Sequence, residues 1–479
     1  LSREVVYLLP EIIVLVTAIV VLLLDLVLPE DKRPTLLAGI SVAGLAVAAV
    51  FAIMLINERI IIMGDMFVVD SFSVVIKIGV LMGAAMSLLL AVQFLQKPKS
   101  HPGEYYFLAL TSTLGMMVMA GSINLLVAFL GIQLASVPMY ILTGFKRSDV
   151  KSGEAALKYF LLGVLTAVIS LYGMSLIYGL TGSLNLVEIA NRLSAIKLDN
   201  PVIFLGMTFL ISGFTFKIAA VPFHFWAPDV YEGAPTCVTT FIAAVPKIAG
   251  FAVLARLVYT AFPALTGQWT GLLALMAVLT MFSGNLLALP QKNIKRMLAF
   301  SGIAHMGYAL IALTVPGQNA LGALVFYLIA YGAMTGGAFA IVTALGRITH
   351  EHEIADFAGL SSRAPVLSAA MTLFMLSMLG FPLTGGFTAK FLVFGAAIEK
   401  GMAWLAIIGV LNSVVSLYYY FGIVRQMYFL KPKSKKPIKI PALSWFVIAV
   451  AVIVTLVLGI YPEPVIHLTR GLTILFARF

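Results

Sequence analysis

One cysteine in 479 residues, Cys237, leaves no means of building a disulfide framework, an iron–sulfur cluster or a Cys-based zinc site. Charge is scarce as well. Asp, Glu, Lys and Arg together make 11% of the chain, where a soluble domain carries about 25%. That shortage excludes a soluble enzyme, a disordered chain and a nucleic-acid-binding protein, all of which need charge for solvation or for phosphate contact. No GxGxxG, P-loop or Ser/His/Asp arrangement stands out. What abounds is apolar: 61% of residues are hydrophobic, and the mean hydropathy is +1.05. A bilayer is the solvent that fits. At about 20 residues per span, the length allows a dozen or more helices. The stretch Val5–Leu28 is too long for the apolar core of a cleavable signal and lacks a small-x-small site, so it reads as the first span.

Apolar stretches between polar or Pro/Gly breaks give fourteen candidate helices, near 5–28, 34–56, 68–95, 105–120, 123–143, 155–180, 201–226, 236–262, 269–289, 295–315, 320–346, 365–395, 402–429 and 442–461. A short amphipathic tail, Glu463–Phe479, follows. No segment alternates in the ten-residue manner of a membrane β-barrel. The net charge of +11 lies mainly in loops, where it orients the chain in the bilayer. With the N-terminus outside, the inner loops hold seventeen Lys and Arg against seven outside, including the run Lys431, Lys433, Lys435, Lys436 and Lys439. Both termini then face outward, which requires an even number of spans.

Seven basic residues remain inside spans. Lys77, Arg256 and Arg425 sit near span ends, where a long side chain can snorkel to the interface. Lys217, Lys247 and Lys390 are deeper, and a cation at the bilayer centre costs about 2.5–3.5 kcal/mol or more. Two of them stand beside a proline. Lys217 is five residues before Pro222 in the seventh span, and Pro382 with Gly385 and Gly386 precedes Lys390 in the twelfth. Proline lacks an N–H and breaks helical hydrogen bonding, so both spans are expected to break, near 219–224 and 381–387. A lysine at such a break can donate to the freed carbonyls, aided by the half-helix dipole. Paired, interrupted segments in two halves are the signature of an inverted-repeat transporter. A weak echo between Ala128–Gln133 and Ala299–His305, again five spans apart, supports spans 4–8 and 9–13 as the repeats.

Titratable residues across a membrane interior can form a proton wire. Glu154 precedes Lys158 by four residues, the favourable order for an ion pair on one helix face. Lys217 and His224 are two turns apart, and Lys295 and His305 bracket the tenth span. Burial favours a neutral lysine and a nearby carboxylate favours the ammonium, so a lysine between them can load and release a proton. The tract His350-Glu351-His352-Glu353 lacks the i,i+4 spacing of a helical zinc pair and is assigned no metal.

The run Val221-Pro222-Phe223-His224-Phe225-Trp226-Ala227-Pro228-Asp229-Val230-Tyr231-Glu232-Gly233-Ala234-Pro235 is distinctive. With Asn293-Ile294-Lys295-Arg296-Met297-Leu298-Ala299-Phe300-Ser301 and Gly380-Phe381-Pro382-Leu383-Thr384-Gly385-Gly386-Phe387, it resembles the subunit N family of the NADH:quinone oxidoreductases, respiratory complex I. The resemblance runs from about the third span to the fourteenth. It implies an all-α polytopic membrane protein of about 14 transmembrane helices, with two inverted five-helix repeats and broken helices. The parts would be residues 1–103 (helices 1–3), 104–262 (first repeat), 263–430 (second repeat) and 431–479 (basic loop, helix 14 and tail). It further implies a proton-translocating subunit coupled to quinone reduction elsewhere, in the inner membrane of a bacterium. Lys217 would be the central lysine, Lys247 the linking lysine and Lys390 the terminal one, with Lys295, His305, His224, Glu154 and Lys158 along the same path. FMN, iron–sulfur clusters and quinone would belong to partner subunits, with no cofactor in this chain. A neighbouring antiporter-like subunit and a small three-helix subunit are the expected neighbours.

One position departs from the family. Its span-five glutamate falls at Gln133, which cannot titrate. Glu154 is therefore expected to serve as the acidic end of that half-channel, with Gln133 as a hydrogen-bonding relay. An Mrp-like cation/proton antiporter subunit and a non-pumping structural subunit are the competing readings.

Overall fold

Polar caps set where the apolar runs begin to coil. The carboxamide of Asn124 accepts from Leu126 N–H and Val127 N–H to start the helix Leu125–Thr143. Asp149 does the same for Val150–Thr181 and Asn293 for Ile294–Thr314, so short Asx side chains satisfy the orphan donors of each first turn. In the computed structural model, residues 3–30, 32–96, 100–195, 200–346, 352–432 and 438–475 are described. The loop cations Lys97, Lys99, Lys197, Arg347, Lys433, Lys435, Lys436 and Arg478, and His350 with Glu351, lie outside the described residues.

Each of the fourteen candidate segments coincides with one helix or a broken pair of helices. Among the described residues, eleven helices are long and apolar enough to cross a membrane by themselves. Of the other three segments, Leu9–Asp25 is shorter at 17 residues, Pro102–Gly121 is less apolar, and the twelfth divides into Pro365–Leu379 and Gly385–Glu399. The loop 57–67 is not featureless. Ile60–Ile62 pairs antiparallel with Phe67–Val69, a small hairpin the sequence reading took for connection.

Burial runs opposite to hydropathy. Of the helices long and apolar enough to cross by themselves, the tenth span, Ile294–Thr314, is the least apolar and is buried from Met297 onward. The fourteenth, Ala442–Ile460, is the most apolar and only a third buried. Lipid solvates apolar surface as well as another helix does, so polar content selects the interior position. The eighth span, Thr236–Arg256, continues through a π-turn at Leu257–Ala261 and is also buried. Spans four and five meet backbone to backbone, Gly115 lying against Gly131 O and Ala135 N. Spans nine and ten repeat that contact five spans later, with Gly284 against Phe300 O and Ala304 N. A Cβ at either glycine would strike backbone.

Two of the cations expected to snorkel do not. Lys77 is buried, 2.7 Å from Glu11 Oε1. Arg256 is 0% exposed and grips Asp70 through two nitrogens at 2.6 and 3.1 Å, while its Nε donates to Ala120 O at 2.7 Å. Each reaches a carboxylate on another span before it could reach water, so packing overrode the snorkel. Arg425 is exposed.

Candidate functional site

Three interior lysines converge on proline-interrupted helices, and their surroundings differ. The seventh span stops as an α-helix at Thr215, makes one 3-10 turn at Phe216–Ile218, and reverses through Ala219 in the left-handed region. It resumes at Trp226–Gly233 after Pro222. The carbonyl of Phe216 receives the Ala219 N–H at 3.0 Å and the indole N–H of Trp226 at 3.2 Å. Lys217 therefore does not cap it. Its ammonium sits 2% exposed among the rings of Tyr159, Phe216 and Tyr140, at 5.7, 5.9 and 6.0 Å, and has no hydrogen-bond acceptor among the described residues. Aromatic faces are its compensation.

Lys247 follows Pro246, a third proline–lysine pair that the sequence reading passed over. Proline 246 cannot donate to Ile242 O four residues back, and Lys247 Nζ donates there instead, at 3.0 Å. Trp226 and Tyr231 present their rings to the same ammonium at 5.0 and 5.4 Å.

In the twelfth span, Pro365–Leu379 ends at Gly380, whose φ of +93° suits glycine, and Gly385–Glu399 begins beyond Pro382. Lys390 Nζ donates to Met378 O at 3.0 Å, Leu379 O at 2.9 Å and Ser413 Oγ at 2.5 Å. It is the cap of the first half-helix, with Tyr308 stacked over it at 4.7 Å.

A hydroxyl network lies beside it. His305, 1% exposed, bonds Tyr327 OH through Nδ1 at 2.6 Å and Tyr420 OH through Nε2 at 3.1 Å; Tyr420 OH in turn meets Ser301 Oγ at 2.5 Å. Asn285 donates to Tyr308 OH and Asn412 Oδ1, each at 3.2 Å, and accepts from Tyr419 OH at 2.9 Å. None of Tyr327, Tyr420, Asn285, Asn412 or Ser413 was singled out from sequence. The available signal was amide and hydroxyl side chains inside apolar spans.

Glu154, Lys158 and Lys295 gather at the face that bears the basic loops. Lys158 pairs with Glu154 at 2.7 Å and with Asp229 at 2.8 Å, and Arg296 joins Asp229 to Glu232 at 2.6 and 3.0 Å. Burial by itself would raise the Asp229 carboxyl, but its bonds to Lys158 and Arg296 outweigh that and hold it below the usual carboxylate range. Lys295 is buried and donates to Glu232 O and Ala234 O at 2.8 and 2.6 Å, capping the half-helix Trp226–Gly233. His224 is buried against Phe225.

Two expectations change. Glu154 is 60% exposed and engaged with Lys158, so it is not the acidic partner of Lys217. Gln133 is half-buried and makes no hydrogen bond to Lys217. Among the described residues no group of three or more His, Cys, Asp or Glu could hold a metal ion.

The family described as NADH:quinone oxidoreductase/Mrp antiporter, TM, matches residues 122–416, from the start of span five into span thirteen. Subunit N of the NADH-quinone oxidoreductase of Trichlorobacter lovleyi is 41% identical over 94% of this chain and 91% of that protein. This chain belongs to the NADH-quinone oxidoreductase subunit N family. The subunit N of Thioalkalivibrio sulfidiphilus is 39% identical over 96% of this chain and 97% of its own length. Among solved structures, a chain of respiratory complex I from Thermus thermophilus is 34% identical, covers 96% of this chain and all of that one, and superposes with a TM-score of 0.82. A chain of the Mrp complex from Dietzia sp., at 21% identity, 96% coverage of each chain and a TM-score of 0.83, shares the fold.

Proposed function

We propose that this membrane subunit of NADH:quinone oxidoreductase translocates protons along the line Lys217, Lys247, His305 and Lys390. The observation that carries this reading is the set of three lysines buried in spans at proline interruptions, each in a different local environment. Cations this costly to bury need a task, and a row of groups that exchange protons supplies one. The ion cluster of Glu154, Lys158, Asp229, Arg296 and Glu232, with Lys295 behind it, is the end facing the cytoplasm. His224 and Gln133 would serve as further stations in the first half.

The two-repeat plan, spans 4–8 and 9–13, gives each half one broken helix and one tight glycine contact. Spans 1–3 and the fourteenth span would pack around them. Flavin, iron–sulfur clusters and quinone belong to other subunits, and the single cysteine supports that division. The neighbours would be a second antiporter-like subunit and a small three-helix subunit. The site would be the inner membrane of a bacterium, with both termini outside.

Replacing Lys217 or Lys390 by Ala in the assembled enzyme should lower quinone reduction and proton pumping together, because a blocked proton step stalls the redox step coupled to it. Unchanged reductase rate and proton yield in both variants would leave a structural subunit.

A further inference from the structure

A half-open cavity of about 540 Å³ lies at the basic face, where the loop 146–151, residues 232–237, the start of span ten, Thr343, Gly346 and His352 converge. Lys295 lines its inner wall. Across it stands His352, which belongs to no helix and falls outside the ion cluster described above. It is half-buried, and its Nδ1 is enclosed with no hydrogen-bond partner among the described residues.

The backbone holds it there. His352 O accepts from Ile294 N–H at 2.9 Å and Ile354 N–H donates to Lys292 O at 2.8 Å, so the loop is stitched to the first turn of the helix that carries Lys295. The residue adopts φ +54°, and its ring packs on Gly346, where a Cβ would lie 3.1 Å from Cε1. A side chain fixed by its backbone at a cavity wall, with one ring nitrogen unused, is poised to exchange a proton.

We propose that His352 is the proton-accepting group of this cavity and the donor to Lys295. It rests on the proton-translocation reading given above. The imidazole takes a proton from the aqueous side, giving imidazolium. Through cavity water the proton passes to the neutral amine of Lys295, which becomes ammonium, and the imidazole returns to its neutral form.

The surrounding charges favour that direction. Lys146 and Lys151 from the neighbouring loop face the cavity as cations, and Lys295 from span ten joins them once it holds its proton, while Asp149, Glu232 and, on the histidine's own turn, Asp356 oppose them. Cys237 completes the titratable lining. Burial, then the Lys295 ammonium, pushes His352 down to about 4, against a smaller opposing effect of Asp356. At neutral pH the ring is therefore a free base, and a captured proton moves readily onto a stronger one. Two adjacent cations disfavour each other, so His352 reloads only after Lys295 has passed its proton on.

The test uses His352→Asn in the assembled enzyme, because asparagine tolerates the left-handed backbone and cannot titrate. Coupled turnover should fall roughly threefold to tenfold, more so at alkaline pH where protons are scarce, and added imidazole should restore it, as expected when a general acid–base group is lost. His352→Gly, which also suits that backbone and leaves space for the added base, should respond more strongly to imidazole. Unchanged turnover and pH profile in both variants, or a loss that imidazole does not restore in either, overturns the proposal. Silent His352 variants beside impaired Lys217 and Lys390 variants would remove this assignment alone; silence at all three positions would remove the translocation reading.

Discussion

Lys217 and Lys390 carry the same sequence signature, a lysine beside a proline break, and end in opposite surroundings. Lys390 satisfies two carbonyls and a serine, whereas Lys217 meets only aromatic rings. The order of lysine and proline accounts for the difference. Helical side chains lean toward the N-terminus of their own helix. Lys390 follows its break, so it leans back onto the C-terminal carbonyls of the preceding half. Lys247 follows Pro246 and does likewise. Lys217 precedes Pro222, leans away from the break, and leaves the Phe216 carbonyl to the Ala219 N–H and the Trp226 indole. A cation placed before the break is free for function; one placed after it also holds the fold.

The sharpest way to break this contrast is to remove each cation and measure stability beside activity. Lys390→Met should lower the thermal stability of the purified complex, since it strands Met378 O, at about 1–3 kcal/mol for an unsatisfied group, while Leu379 O keeps the Ser413 hydroxyl at 3.2 Å. Lys217→Met strands nothing and removes a buried cation, so stability should hold or rise, while coupled turnover falls in both. Equal destabilisation by the two variants would refute the directional argument.

A smaller effect is expected at the acidic side of the first half. Gln133→Glu places a carboxylate in span five and should leave turnover unchanged or raise it by up to about twofold. Glu154→Gln, which the sequence alone suggested would be severe, should be mild. Glu154 and Lys158 are 60% and 44% exposed, Lys158 retains Asp229, and such pairs contribute about 0–1 kcal/mol. Pumping assays on both variants decide the point, and a sharp loss in Glu154→Gln would restore the original expectation.

The smallest effect concerns acid. Asp229 binds its proton more weakly folded than unfolded, so its contribution is present above the unfolded carboxylate value near about 3.9 and is lost as pH falls through the lower folded value. Asp229→Asn should flatten the acid limb of a stability–pH curve, by less than about 1 kcal/mol for a group this exposed. An unaltered acid limb would mean that Lys158 and Arg296 do not hold this carboxylate.

How much was legible follows from what each feature depends on. Long apolar runs and Asx caps act locally, so the fourteen segments and both breaks could be read residue by residue. The single cysteine and the deep lysines likewise pointed to proton rather than redox chemistry, because their cost in lipid does not depend on neighbours. The partners of those lysines were not legible. Pairing Arg256 with Asp70 spans 186 positions of sequence, and the Asn285–Asn412 contact spans 127. In lipid, apolarity does not say which face of a helix turns inward; polar side chains finding one another across spans do, and only the packed structure states which ones meet. Sequence by itself determined the membrane, the spans and where they break. The tertiary structure decided which lysine is capped and which is caged, because that turns on the direction of a side chain relative to a carbonyl freed by a proline.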